Sequence, residues 1–150
     1  MKKFEYSLQP ILSFKKHTQK LEEENLAVVI NKYEYHKKRL NELSKEVTRL
    51  IENNNRQTKT GMKARDIIQN NLYMNIIYKK IDEQKNIICE LKKEIKFRRE
   101  KLIEVNKEKK SLENLKERRY LEYQYLQSIE QNLFIDEQIC FKIAKSITEL

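Results

Sequence analysis

The chain has 150 residues, enough for one domain, with 37% charged residues, one Gly, one Pro and no Trp. Too few turn-forming and apolar residues are present for a sheet or a three-dimensional core, so the composition predicts long uninterrupted helices meeting along a narrow seam. The formal net charge of +9 admits an acidic protein, nucleic acid or an anionic membrane surface as partner.

The charge is unevenly spread. Residues 1–20 carry five lysines against one glutamate, residues 96–119 ten Lys/Arg against five Glu, and residues 120–150 two lysines against five acids. The start, MKKFEYSLQP, lacks the apolar centre of a signal peptide. The longest apolar run covers only residues 26–30, far short of a membrane span. The expectation is therefore a cytoplasmic protein that reaches a membrane only through partners. Cys89 and Cys140, in no CxxC pattern, read as reduced, packed thiols.

In chain order, a first helix is expected over about residues 7–54, with Pro10 in its first turn, where a missing N–H does no harm. Leu26, Val29, Tyr33, His36, Leu40, Leu43, Val47 and Leu50 alternate at spacings of three and four, the pattern of a coiled-coil seam. Upstream, Leu8 and Leu12 continue the stripe, and then Lys15, Gln19 and Glu22 occupy it, with Leu21 displaced to one side. The run NNNRQTKTG supplies a turn at about residues 55–61.

A second helix is expected over about residues 62–148. Its stripe runs through Ile67, Met74, Ile77, Ile81, Ile88, Leu91, Ile95, Leu102, Val105 and Leu112, with Asn70, Gln84, Arg98 and Lys109 interrupting it. Beyond Leu112 the apolar residues slip by three, through Leu115, Leu126, Ile129, Leu133, Cys140, Ile143, Ile147 and Leu150.

One turn makes the two helices antiparallel, in a single domain over residues 1–150. Residues whose numbers sum to about 118–122 should face each other. That pairs Leu43 with Ile77, Leu50 with Ile67 or Ile68, and Leu12 with Val105. It also sets Gln19 near Arg98 or Leu102 as a polar layer. The first helix would run out opposite about residue 112, leaving about 38 residues, roughly 57 Å, of second helix with an apolar stripe and no partner. The fold class is thus all-α: a long antiparallel two-helix coiled-coil hairpin with a longer C-terminal helix.

No chemistry of catalysis is legible. A single glycine cannot build a phosphate-binding loop, and His17, His36 and the cysteines are not spaced as metal ligands. A two-helix hairpin offers no pocket for a hydrolase triad. The expectation is a non-enzymatic protein with no cofactor and no metal, in which His36 is a packed seam residue.

Three stretches carry a resemblance. Phe4-x-Tyr6-x-Leu8-Gln9-Pro10-Ile11-Leu12, followed by Lys15, Lys16, Leu21, Glu22 and Leu26, resembles the opening helix of the FliJ family of flagellar type III export proteins. Gly61-Met62, with Leu72-Tyr73, Ile77, Ile81 and Gln84 after it, is similar to that family's hairpin apex. Leu112-Glu113-Asn114-Leu115-Lys116-Glu117-Arg118, with Asp136-Glu137 further on, is similar to its LE-x-L-KER … DE region. The order and spacing span nearly the whole chain.

The resemblance implies a stalk whose paired ends sit in the ring of the hexameric export ATPase. It further implies an apex half that contacts the export-gate membrane protein, and a role in escorting export chaperones. Location at the cytoplasmic face of the inner membrane, at the flagellar base, follows from those partners. Carried over residue by residue, the ATPase end would use Phe4, Tyr6, Lys15, Lys16, Arg118, Arg119 and Asp136. The gate surface would use Leu43, Leu50, Tyr73 and Ile77. The register above puts Leu43, Leu50 and Ile77 on the seam, so Tyr73 alone of these is placed for a contact. Three alternatives stay open from the residues: a stalk of a virulence-type secretion system, a generic coiled-coil scaffold, and a nucleic-acid-binding helical arm. Interleaved Glu and scattered aromatics speak against the last.

Overall fold

The computed structural model describes residues 3–148 and is all-α, with two helices, α1 (Gln9–Thr60) and α2 (Ala64–Thr148). Leu150, the last residue of the expected second stripe, lies outside the described residues. The turn is shorter than the Asn-rich run suggests. It occupies only residues 61–63, and α1 continues through Asn53, Asn54 and Asn55 to Thr60. The seam phase explains this, because Asn54 falls on it. Its Oδ1 accepts from Asn70 Nδ2 at 2.8 Å, so an amide across the seam replaces an apolar pair. Thr58 and Thr60 turn their hydroxyls back to Asn54 O and Gln57 O within the helix, at 2.6 and 3.1 Å. Gly61 then ends α1 with φ of 92°, a left-handed backbone in which a Cβ would be strained even though nothing lies within 4 Å of it.

Contacts divide the described residues into two units. The first, residues 20–103, is the apex hairpin. Its core is Leu43, Val47, Ile77 and Ile81, with Leu40, Leu50 and Met74 packed against it. Every stripe position of α1 in this unit, from Glu22 through Leu26, Val29, Tyr33, His36 and on to Leu50, is buried or half-buried. On α2, Met74, Ile77, Ile81, Gln84, Ile88, Leu91, Ile95, Arg98 and Leu102 are likewise covered. Ile67 is the exception, at 42% exposed, and Ile68 is 61% exposed. Leu50, expected to face Ile67 or Ile68, packs with Met74 on the Leu43–Val47–Ile77–Ile81 cluster, which includes neither. A turn centred on residue 62 gives pairs that sum to about 124, as in Asn54–Asn70, which moves the apex register away from the expected value. At His36 the sum falls within the expected range. His36 Nδ1–H donates to Gln84 Oε1 at 2.8 Å, a sum of 120.

Glu22 is the one charged residue in the core, 5% exposed. Its Oε1 accepts from Lys101 Nζ at 2.7 Å, and its Oε2, with no hydrogen bond, lies 3.9 Å from Arg98 Nη1. A carboxylate on the seam thus sits between two cations of the facing helix, which offsets its desolvation.

The second unit, residues 3–19 with 104–148, pairs the two ends of the chain. Tyr6, Leu12 and Val105 are buried in it. Residues 3–6 are not helical. An extended segment advances about 3.3 Å per residue against about 1.5 Å for a helix, so it reaches farther along α2. Phe4 accordingly packs edge-on to Tyr120, with ring centroids at 5.2 Å, and against Tyr123 at 5.6 Å. The contacts with the N-terminal segment therefore extend to Tyr123, not only to about residue 112, and residues 124–148 carry α2 roughly 38 Å beyond it.

The expected phase slip does not occur. Leu115, Leu126, Ile129 and Leu133 are exposed, whereas Leu112, Lys116 and Tyr123 are half-buried and continue the upstream phase. Lys116 can hold a seam position because its stem lies along Tyr6, with Nζ 6.0 Å from the ring centroid, while Nζ donates to Gln9 Oε1 at 2.8 Å. Cys89 and Cys140 are free and exposed, not packed: Cys89 is one step off the seam after Ile88, and Cys140 lies on the stretch after residue 127 in which every residue whose burial is described is exposed.

Candidate functional site: the paired chain ends and the apex

Of the seven residues expected at the chain ends, five hold the second unit together. Tyr6 is 7% exposed, and its hydroxyl donates to Leu112 O at 3.0 Å. Phe4 lies between Tyr120 and Tyr123. Lys15 pairs with Glu108, and Lys16 lies 3.6 Å from Glu113. Arg119 Nη1 donates to Ser7 Oγ at 3.2 Å. Arg118 and Asp136 are exposed, with no hydrogen bond or ion pair among the described residues. The N-terminal segment is thus pinned to α2 by an aromatic cluster, one buried hydroxyl and a flank of charges. Tyr120 and Tyr123 were not singled out from sequence. Their positions four and seven after Lys116 would have marked them, had the seam been carried past Leu112 without a slip.

Beyond this cluster α2 exposes large apolar side chains: Tyr125, Leu126, Ile129, Leu133, Phe134, Ile135, Ile139, Phe141, Ile143 and Ile147. At about 100° per residue these project around most of the helix and not along one stripe. Phe134 and Ile135, with Glu130 and Gln131, line a shallow open depression of about 360 Å³.

At the apex, Leu43 and Ile77 are core residues at 4% and 2% exposed, and Leu50 packs on them. Tyr73 is 45% exposed, and its hydroxyl donates to Glu46 Oε1. That hydrogen bond, and then the charge of the carboxylate, hold the Tyr73 phenol above its ordinary pKa of 10.0. On the face of α2 turned away from the seam, and not grouped as a surface in the sequence, Ile68, Leu72 and Ile76 are 61%, 60% and 51% exposed. Their i, i+4, i+8 spacing puts them in one row on α2. A second apolar row on the outer face, repeating every four residues, was the signal available for them.

Among the described residues no group of three or more His, Cys, Asp or Glu could hold a metal ion, and no helix is long and apolar enough to cross a membrane. No curated protein and no solved structure matches the chain. The sequence model of the family described as "Flagellar FliJ protein" matches residues 4–145. A match over nearly the whole chain, on an all-α two-helix hairpin, means that this protein belongs to the FliJ family and is a component of flagellar protein export.

Proposed function

We propose that the chain acts as a non-catalytic stalk of the export ATPase, with its paired ends and the C-terminal part of α2 inside the hexameric ring and its apex directed at the export gate. The observation that carries this reading is residues 124–147. A helix with apolar side chains around most of its circumference needs a partner that surrounds it, and the axis of a ring is such a place. Arg118 and Asp136, exposed and unpaired among the described residues, are the charges available to the rim of that ring. Phe4, Tyr6, Lys15, Lys16 and Arg119 hold the N-terminal segment against α2 and shape the entry to it.

At the apex, the row Ile68, Leu72 and Ile76, with Tyr73 beside it, is the surface for the export gate. Leu43, Leu50 and Ile77 act indirectly, by holding α2 against α1 at the seam. Export chaperones are the third class of partner. Binding to these partners would hold the protein at the cytoplasmic face of the inner membrane.

The test is ATP hydrolysis by the matching export ATPase, with ring assembly followed by light scattering. The full chain should raise both in proportion to its concentration. A chain ending at residue 124 should keep its helicity and lose most of the effect. If the shortened chain stimulates the ATPase as well as the full chain does, insertion of the C-terminal helix is wrong.

A further inference from the structure

The cations of α2 between Lys92 and Lys101 fall into two groups with different partners. Lys93 pairs with Glu90 at 3.0 Å, Arg98 with Glu94 at 3.1 Å, and Lys101 with Glu22 at 2.7 Å. Lys92, Lys96 and Arg99 are exposed and pair with no carboxylate among the described residues. Their spacing of four and three puts them in one row along α2. That row edges a groove of about 430 Å³ between the helices, whose apolar surface comes from Ile30, Tyr33, Ile95 and Ile103. Ile103 is 54% exposed, and Ile95 is buried in the floor. Glu34 and Glu100 also line it, so its charge is mixed at the edges, three cations against two carboxylates, with the cations gathered along one rim. The ring of Tyr33 carries Lys37 Nζ 5.8 Å from its centroid, a fourth cation beside the groove.

A groove between two helices, apolar along its base and basic along one rim, matches the shape and charge of a third helix. We infer that this groove binds an amphipathic, acidic helix of a partner protein. The leucine-type face of that helix would lie on Ile30, Tyr33 and Ile103, and its carboxylates would meet Lys92, Lys96 and Arg99. The site lies within the apex unit, uses neither the chain ends nor the Ile68–Leu72–Ile76 row, and does not depend on the stalk reading.

The probe is a fluorescein-labelled synthetic peptide with leucine at heptad a and d positions and glutamate elsewhere, against a scrambled peptide of the same composition. Anisotropy titration of the full chain should show the patterned peptide bound about tenfold more tightly than the scrambled one, and more weakly as salt is raised. The triple variant Lys92→Glu, Lys96→Glu, Arg99→Glu, with unchanged circular dichroism, should lose about tenfold in affinity. Ile103→Glu should weaken binding with no change in the three cations. Equal binding of the two peptides, or full affinity in the triple variant, would overturn the inference. So would a preference of the native chain for duplex DNA or phosphatidylglycerol vesicles that the same triple variant abolishes.

Discussion

Ile76 and Ile77 are neighbours in sequence, and the structure gives them opposite surroundings. Ile77 is 2% exposed in the Leu43–Val47–Ile81 cluster, whereas Ile76 is 51% exposed in the outer row. Ile77→Ala removes about three buried carbons at about 0.8 kcal/mol each, a transfer term of about 2.4 kcal/mol. The cavity term that raises such losses in globular cores is small here, because a two-helix seam is one layer deep and can close or admit water. The expected cost is therefore about 2–3 kcal/mol. Ile76→Ala gives up contacts to solvent only and should cost about 0.5 kcal/mol or less. Urea denaturation followed by far-ultraviolet circular dichroism measures both. In a pull-down with the cytoplasmic domain of the export gate, the order should reverse: Ile76→Ala loses binding, and Ile77→Ala keeps it wherever the variant is folded. Equal destabilisation by the two substitutions would refute the seam register. A folded Ile77→Ala variant that alone lost the gate would refute the assignment of the outer row.

Two further outcomes follow from the same geometry. Tyr6→Phe removes the hydroxyl that donates to Leu112 O and should cost about 1 kcal/mol locally, since it leaves the ring and its Lys116 contact in place and takes away only that hydrogen bond. The Gln9 amide, which donates to Tyr6 O, should then exchange with deuterium several-fold faster; an unchanged rate would mean the segment is held elsewhere. For Tyr73, the raised phenol pKa means that the folded state favours the protonated ring, so its contribution to stability is present below the unfolded pKa and fades as pH rises through the folded one. Glu46→Gln should bring the ultraviolet titration of that tyrosine back toward the ordinary range. A titration curve identical to that of the native chain would sink the Tyr73–Glu46 contact.

The seam was largely legible because its signal is periodic and redundant. A spacing of three and four from Leu8 to Leu50 leaves little freedom in which face is buried, and even Lys15, Gln19 and Glu22, which look like defects, occupy it. The turn was less legible because Asn54 has two readings. Local preference marks it as a breaker, but a partner amide at Asn70 makes it a seam residue, and that partner is visible only when the register is known. The end of the pairing was misplaced for a related reason: apolar residues at Leu115, Leu126 and Ile129 outweighed Lys116, whose stem does the packing. Surface residues were the least legible. Ile76 and Ile77 are the same residue type, and only the register separates a core position from a contact.

The three-residue turn also orders the chain in time. The cross-helix contacts close loops of very different length, from 16 residues at Asn54–Asn70 to 48 at His36–Gln84, 79 at Glu22–Lys101 and 106 at Tyr6–Leu112. Each is cheap to form only after the one before it, because the earlier contact has already shortened the loop. Folding that begins at Gly61 and closes outward reaches the N-terminal segment last, and thermal opening starts there. Hydrogen exchange in the native state would record that order as protection falling from Ile77 toward Tyr6. The end that pairs last is then the one that a partner can capture while it is still open, without first unfolding anything else.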